Sequence, residues 1–371
     1  MKYIIILLSA LLTSCLPPSS HDKETANGKQ PAEIPAFQPK NYVCYRTASP
    51  MNIDGKLDEA AWQNAPWTDD FLDIEGEEKE KPQHRTRVKM LWDDHYFYVA
   101  AELEEPHIWA TLTQRDAVIF YDNDFEVFID PDGNTHGYYE YEVNAYNTVW
   151  DLLLVKPYRE GGPAINNWDI NGLKSAVHID GTINDPSDID QKWTVEVAFP
   201  HKVLEEFNRY HGAKHGRQWR VNFSRVQWQA THVDGVYKKK INPDTGKSYR
   251  EDNWVWSPQG VIDMHRPELW GMVQFSDVIA GKGTDEFIYN LDEDVKWELY
   301  TLYHAQKAYF KSNGHYTTQL KQLNNTGVPS FTFNPVVETT QSLFEARASR
   351  EESDFIWHID QSGRTWKSKK Q

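Results

Sequence analysis

Clustered side-chain oxygens follow one predicted strand and could hold a hard cation. Asp130, Asp132 and Asn134 fall within five positions, directly after an apolar alternation over residues 125–129. Carboxylate and amide oxygens are the ligands that Ca²⁺ prefers in proteins. The run lacks the distant Glu that completes an EF-hand loop, and Asp-Gly-Asn after a strand is also ordinary turn chemistry. A structural calcium ion and a bare turn therefore both remain open at this loop.

Aromatic side chains are frequent, and some of them could stack on sugar rings. The chain has 15 Trp and 19 Tyr in 371 residues. A sugar presents an apolar C–H face that packs on an aromatic ring, while its hydroxyl groups need polar partners. Tyr158 and Trp168 stand in a predicted loop over residues 156–172, and loops often carry binding residues. For Trp168 a place in the core is the equal alternative.

No local motif for catalysis occurs in the sequence. There is no Gly-rich phosphate loop, no His-Glu-x-x-His helix and no Gly-x-Ser-x-Gly turn. Glycoside hydrolysis would need two carboxylates held across the scissile bond, a spacing that the sequence does not fix. A haem held by Met90 and the pair Met264-His265 is the least favoured alternative. We therefore predict a protein that is not an enzyme.

Period-two alternation with intervening turn residues predicts a mainly β fold. The clearest case is a hairpin, in which residues 88–92 and 97–103 alternate on either side of an Asp-Asp-His turn. Further strands are predicted over residues 125–129, 139–143, 193–199, 219–223 and 272–275. Short strands bounded by Gly, Pro, Asn and Asp favour an antiparallel β-sandwich of the jelly-roll kind, which we place over residues 41–280.

The pattern changes after residue 285. Apolar residues at helical spacing predict a helix over residues 295–320. Behind it, residues 331–333, 342–348 and 355–359 are predicted to form short strands. Residues 285–371 are therefore predicted to be a small C-terminal α+β extension in which a helix packs on a small sheet.

The N-terminus has the pattern of a bacterial lipoprotein signal. Lys2 precedes an apolar run over residues 3–12, and Cys15 ends a lipobox-like Leu-Thr-Ser-Cys. The run is too short to span a bilayer, which takes roughly 20 residues. We predict a signal peptide over residues 1–15, an anchor of lipid on Cys15 and a flexible Pro-rich tether over residues 16–40. A plain signal peptide with a chance cysteine is the alternative. Leu rather than Asp after the cysteine favours the outer membrane.

The net charge argues against some classes of partner, and the cysteine content limits disulfide formation. A formal net charge of -16 argues against nucleic acid or an anionic membrane surface as the main partner, and it makes neutral glycans a better expectation than anionic ones. Cys44 is the only cysteine besides Cys15, so no intramolecular disulfide can form once Cys15 is acylated. The fold must therefore rely on its apolar core.

Four short blocks lie in order along residues 42–276. They are IDGKLDEAAW at 53–62, VKMLWDDHYFYV at 88–99, NDFEVFID at 123–130 and WGMV at 270–273. Taken together, these blocks resemble carbohydrate-binding module family 9. The resemblance implies a β-sandwich that binds sugars, often chain ends, between two aromatic side chains, and that carries calcium for structure.

The resemblance also implies four kinds of sugar-contacting position. These are a first clamp aromatic, a strand carboxylate, a polar residue on the next strand and a second clamp aromatic. In that order the positions hold Phe120 with Tyr121, Glu126, Asn144 and Met264. The family's Arg, two positions before the polar residue, is replaced here by Glu142.

These observations predict non-catalytic carbohydrate binding at the cell envelope, in the capture or catabolism of polysaccharide. The main alternative is a structural or interaction lipoprotein that keeps the sandwich but has lost the sugar site. A glycoside hydrolase is less favoured. One open cleft that joins Phe120, Glu126, Asn144 and a loop aromatic would favour binding, and two carboxylates converging in such a cleft would be required for hydrolysis.

Overall fold

The computed structural model describes residues 35–208, 211–323 and 330–370. The predicted signal over residues 1–15, the lipidation site Cys15 and most of the predicted tether lie outside these residues. Residues 35–40, the end of that tether, contact the rest of the chain. Phe37 stacks on Trp297 with ring centroids 4.9 Å apart, and the Lys40 N–H donates to the Ser257 hydroxyl.

Fifteen strands and two short helices precede the C-terminal extension. The strands are β1 Asn41–Arg46, β2 Leu72–Asp73, β3 Thr86–Trp92, β4 Tyr96–Glu104, β5 Asp124–Asp130, β6 Tyr138–Asn144, β7 Val149–Leu154, β8 Ala164–Ile165, β9 Lys174–Asp180, β10 Lys192–Pro200, β11 Gln218–Gln227, β12 Ala230–Val233, β13 Val236–Lys239, β14 Asp252–Val255 and β15 Gly271–Ile279. The helices are α1 Ala60–Asn64 and α2 His201–Leu204. Single 3₁₀ turns lie at Ile119–Tyr121, Tyr158–Glu160 and Pro267–Leu269.

The strands pair in the order β8-β7-β6-β5-β11-β15-β1-β3-β4-β10-β9, and β14 joins β11 to β2. The predicted hairpin is confirmed as β3 and β4, with Trp92 opposite Phe97. Pairing is antiparallel except at β1, which runs parallel to both β15 and β3. The antiparallel expectation therefore fails at this one strand. A parallel neighbour needs a crossover connection, which alternation within a strand does not reveal.

The main core lies between the two halves of this set of strands, as a β-sandwich requires. Phe97 of β4 meets Trp219 of β11 edge to face at 5.7 Å, and Tyr141 of β6 meets Phe199 of β10 at 5.5 Å. All four rings are buried and belong to one apolar cluster. Burial of side chains this large is the main source of stability in a chain that has only one free cysteine, Cys44, among its described residues.

The C-terminal extension consists of helices and a separate small sheet. Its helices are α3 Asp292–Asn313 and α4 Leu320–Leu323, and its strands are β16 Val336–Thr339, β17 Phe344–Ala348, β18 Phe355–Asp360 and β19 Thr365–Lys369. The four strands pair antiparallel in sequence order, and α3 packs on them through apolar residues that include Leu299 and Ile359. A helix on a small sheet is thus observed, although α3 begins three residues earlier than predicted and ends before Gly314, whose φ is +73°.

The strand predicted over residues 331–333 is wrong. Phe331 and Phe333 do pack on the helix core, but the N–H groups of Thr332 and Phe333 donate to the carboxylate of Glu298 on α3. A side chain thus takes the hydrogen bonds that a sheet neighbour would accept. The sheet instead uses β16 and β19, which the sequence analysis did not predict.

Buried ion pairs join the extension to the sandwich. Arg220 of β11 contacts Glu293 of α3, and Lys296 donates to the same carboxylate at 3.2 Å. The Thr135 hydroxyl donates to the carbonyl oxygen of Gly363 at 3.0 Å. Among the described residues, no helix is both long and apolar enough to span a membrane.

Candidate functional site

The face of β5 and β6 that points away from the main core forms the floor of a cleft. Phe125, Val127 and Ile129 of β5 enter the core, so the alternate residues of the strand point the other way. Glu126 lies directly opposite Glu142 on β6, and Glu142 lies opposite Trp150 on β7. This register places two carboxylates and one indole side by side across three strands.

Two 3₁₀ turns and one loop form the walls of the cleft. The turn at Ile119–Tyr121 carries Phe120, the turn at Tyr158–Glu160 carries Tyr158, and the loop before β15 carries Met264 and His265. The cavity measures about 170 Å³. The described residues that line it are Phe120, Glu126, Phe128, Glu140, Glu142, Trp150, Tyr158, Val226, Glu251, Asn253, Met264 and His265.

Hydrogen bonds hold the Tyr158 and His265 walls in place, and some of them come from the C-terminal extension. Tyr158 meets the His265 ring at 4.5 Å, and Arg159 donates to the carbonyl oxygen of His265 at 2.7 Å. The Arg159 guanidinium also pairs with Glu268 at 3.0 Å, and Glu268 accepts a bond from His304 of α3 at 3.3 Å. The helix therefore supports one wall of the cleft.

Buried carboxyl groups cluster at the floor of the cleft. Burial raises the pKa of Glu126 to about 7, with a further contribution from Glu251. Burial also raises the pKa of Glu140, Glu142 and Asp124 well above the ordinary range, and the Glu126 carboxyl adds to each of these shifts. Carboxyl groups this close together resist simultaneous ionisation.

Several buried polar atoms in this region lack a hydrogen-bond partner among the described residues. They are the acceptors Glu140 Oε2 and Asp124 Oδ2 and the donor Trp150 Nε1. Buried polar atoms are almost always satisfied in native proteins, so an unpaired donor beside unpaired acceptors marks a place where an external polar molecule fits. The cleft thus offers aromatic surface together with free hydrogen-bonding capacity.

A comparison with models of protein families shows to which family this chain belongs. The model of the family described as "Carbohydrate family 9 binding domain-like" matches residues 53–277, which include β2 to β14, most of β15 and every residue that lines the cleft. The chain belongs to this family. The resemblance noted in the sequence is therefore confirmed, and the family 9 domain ends shortly before the C-terminal extension.

Three solved structures are similar to part of this chain. A proposed carbohydrate-binding protein from Bacteroides uniformis has 15% identity and a TM-score of 0.46, with 64% of this chain and 100% of that chain covered. A family 9 carbohydrate-binding module from Caldicellulosiruptor kristjanssonii, solved with cellotriose and with glucose, has 14% identity and a TM-score of 0.40 in both cases. These two matches each cover 67% of this chain and 100% of the other. A search of curated proteins found no match.

The family 9 domain brings four of the predicted site residues into the one cleft. Phe120, Glu126, Tyr158 and Met264 all line it. Phe120 is half-buried, whereas Tyr158 is 46% exposed and so presents open ring surface. Met264 stands where the family's second clamp aromatic is expected, and Tyr158 supplies an aromatic ring to the same cavity.

Three other predicted residues do not line the cleft. Asn144 is fully buried, and its amide donates to the Leu112 carbonyl and to Asp122, so it fixes the loop before β5. Trp168 is partly buried on the main core, where it stacks on Tyr139 at 5.0 Å. Tyr121 is 50% exposed and packs at a tilt against its neighbour Phe120. Sugar contacts by these residues stay predictions.

The predicted calcium loop is closed by its own hydrogen bonds. Both Asp130 oxygens accept backbone N–H groups, from Gly133 and Thr135, and both Asp132 oxygens accept from Asn134. The Asn134 side-chain oxygen accepts from the His136 N–H, and the Asn134 carbonyl accepts from the Thr365 N–H of β19. As folded, this loop fits a hydrogen-bonded turn against the extension. A calcium ion here stays a prediction.

A second cavity lies apart from the cleft, between the loop after β4 and the end of β11. It measures about 350 Å³ and includes Trp109, Trp228, His84 and His107 in its lining. One of its rings is already occupied, because Trp228 lies under the ammonium of Lys239, 3.1 Å from the ring centroid. Its size alone does not favour it over the cleft, where the unpaired acceptors and the exposed Tyr158 ring meet.

Sequence motifs did not reveal three members of the cleft, which are Trp150, Glu140 and Glu251. Apart from Asp151, β7 is apolar on both faces, so the sequence around Trp150 gave no sign of a site. The signal that would have found it is strand register, which places Trp150 beside Glu142.

Proposed function

We propose that the family 9 domain binds a neutral carbohydrate in this cleft without catalysing a reaction. The observation that supports this most is the combination found there: aromatic rings of Phe120 and Tyr158 beside the unpaired donor Trp150 Nε1 and the unpaired acceptor Glu140 Oε2. A sugar ring needs both an apolar platform and partners of both kinds for its hydroxyl groups.

The size and charge of the cleft limit the range of ligands that it can bind. A cavity of about 170 Å³ is smaller than the roughly 300–1,000 Å³ of pockets that enclose drug-sized ligands. It suits one terminal sugar ring better than the middle of a polymer. Several carboxyl groups and an overall charge of -16 disfavour uronic acids and sulfated sugars.

The cell envelope is the proposed location. The lipobox-like residues before Cys15 support lipid attachment, and the residue that follows favours the outer membrane. A lipid-anchored domain that binds chain ends would hold polysaccharide near the cell surface during capture or catabolism. The proposed membrane link is the lipid alone.

Glycoside hydrolysis is the second candidate, because carboxyl groups do converge in the cleft. One oxygen from each of Asp124, Glu126 and Glu142 lies within 4.8 Å of the others. Catalytic pairs stand roughly 5–5.5 Å apart in retaining enzymes and about 6.5–9.5 Å apart in inverting ones. The oxygens here lie closer together than either catalytic spacing, which favours binding over hydrolysis.

The test is a glycan-array and affinity-gel screen of the purified protein, followed by titration calorimetry with the best ligand. Phe120→Ala and Tyr158→Ala should each weaken binding by roughly 1 kcal/mol or more, since each removes one stacking ring. Phe207→Ala is the matched control, because that ring is 56% exposed outside the cleft. Binding to no glycan would refute the proposal and favour a structural lipoprotein, and release of new reducing ends would favour the enzyme.

A further inference from the structure

Two carboxyl groups that line the cleft, Glu126 and Glu142, and a buried third beside them, Asp124, are arranged as a cation site. Glu126 and Glu142 lie directly opposite each other, and Asp124 lies two residues before Glu126 on the same face of β5. One oxygen from each lies within 4.8 Å of the other two. Oxygens that share one Ca²⁺, at 2.3–2.6 Å each, are at most about 5 Å apart. A single ion can therefore contact all three groups.

Unpaired oxygen atoms give independent evidence for a ligand at this place. Asp124 is fully buried, and its Oδ1 accepts the Val226 N–H while its Oδ2 has no partner among the described residues. Glu140 is 5% exposed, lines the same cleft, and its Oε2 is also unpaired among those residues. A buried carboxyl oxygen without a partner is unfavourable, so either a proton or an external ligand must satisfy it.

No basic side chain neutralises this charge from within the cleft. The described lining residues include no Lys or Arg. Burial lowers the pKa of His265 to about 4, so its ring is neutral at neutral pH, and its Nδ1 already contacts the Tyr138 hydroxyl. The ammonium of Lys239 lies over the Trp228 ring and interacts electrostatically with Asp124.

Two other acidic clusters of the described chain are better compensated. Asp116, Asp151 and Asp169 also converge, but the Arg115 guanidinium contacts both Asp151 and Asp169. The Asp130 loop satisfies its side-chain oxygens internally. At the cleft, by contrast, Glu142 accepts one backbone N–H from Phe120 and Asp124 accepts one from Val226, and the described lining holds no Lys or Arg.

We propose that Asp124, Glu126 and Glu142 bind a divalent cation of the Ca²⁺ class at the floor of the cleft. The rest of the coordination shell faces the cavity, where water or sugar hydroxyl groups complete it. The role of the ion in holding sugar rests on the proposed function, whereas the cation site itself does not.

Calcium titration without sugar tests the site. After treatment with EDTA, the purified protein is titrated with CaCl₂ by calorimetry. Glu142→Gln and Glu126→Gln should each weaken the affinity by more than roughly tenfold, since loss of even an outer-shell partner costs about 10–100-fold. Glu338→Gln, at an exposed carboxylate that pairs with Arg347, is the matched control and should leave this affinity unchanged. Calcium binding that survives both cleft variants with its original affinity overturns the proposal.

A measurement on the unaltered protein guards against variants that fail to fold. Calcium should raise the midpoint of thermal unfolding, and the shift should be larger at pH 8 than at pH 5, because carboxylates must lose their protons to bind the ion. No shift at either pH would mean that protons alone fill the site, and it would overturn the proposal.

The sugar link is measured separately. If glycan binding is lost in EDTA and restored by CaCl₂, the ion takes part in holding the sugar. Glycan binding that persists in EDTA refutes that link alone. Calcium binding by a protein that binds no glycan refutes the proposed function and leaves the cation site standing.

Discussion

Replacing Glu268 with Gln should show how firmly the C-terminal extension is tied to the cleft wall. The Glu268 side chain is fully buried and lies between the Arg159 guanidinium and the His304 ring of α3. Burial lowers the pKa of His304, so the neutral ring donates a hydrogen bond. Glutamine keeps the size of the side chain but removes the charge that compensates Arg159.

The expected loss in the free energy of unfolding follows from the pKa of Glu268. Burial raises the pKa of Glu268, but Arg159 and His304 outweigh it and bring the value to about 2, against an ordinary 4.5. At about 1.36 kcal/mol per pKa unit, ionised Glu268 contributes on the order of 3 kcal/mol to the free energy of unfolding. Breaking a buried ion pair from one side costs about 3–5 kcal/mol, which agrees.

The pH dependence follows from the direction of this shift. The folded pKa is depressed, so the stabilisation is fully present above about pH 4.5 and is lost as the pH falls through about 2. Urea unfolding of the protein and of Glu268→Gln should therefore differ by about 3 kcal/mol at pH 7, with the difference shrinking as the solution is acidified below pH 4.5.

Glu338→Gln is the matched control for this prediction. Glu338 pairs with Arg347 at 2.7 Å, but its side chain is 67% exposed. Exposed pairs contribute about 0–1 kcal/mol, so this variant should change little. A Glu268→Gln effect below about 1 kcal/mol at pH 7, or one that does not change on acidification, would refute the reasoning.

Two further substitutions test the framework of the sandwich. Gly55→Ala should lower the midpoint of thermal unfolding, with a cost of about 2 kcal/mol or more, because Gly55 has a φ of +84° and a Cβ there would lie 2.7 Å from the His178 backbone nitrogen; an unchanged midpoint would contradict this close approach. Arg225→Met should cost about 3 kcal/mol or more in urea unfolding, since it leaves the buried Glu105 carboxylate without its partner at 3.0 Å. A loss below about 1 kcal/mol would show that the Arg225 charge is not needed.

Local patterns predicted the elements that depend on local sequence. Period-two alternation predicted the β3–β4 hairpin and the core-facing side of β5. Together with the family blocks, it predicted that Phe120 and Glu126 belong to one site. Both residues lie within one short stretch that the family resemblance covers. Their meeting in the cleft follows from the turn that carries Phe120 and from the outward face of β5.

Features that depend on register and on distant chain contacts could not be predicted in this way. Trp150 reaches Glu142 only through the pairing of β6 with β7. Tyr158 was predicted as a loop aromatic, but its place beside Phe120 was not. That place depends on the next residue, Arg159, which is held by Glu268 and, through it, by a helix that begins at Asp292. No window of sequence contains these partners together.

The most direct test of the central claim is a crystal structure of the protein with its best glycan bound. We predict that a terminal sugar ring lies in the cleft against Phe120 or Tyr158, with its hydroxyl groups hydrogen-bonded to Trp150 Nε1 and Glu140 Oε2. A sugar bound instead in the cavity that includes Trp109 and Trp228, with the cleft empty, would contradict it.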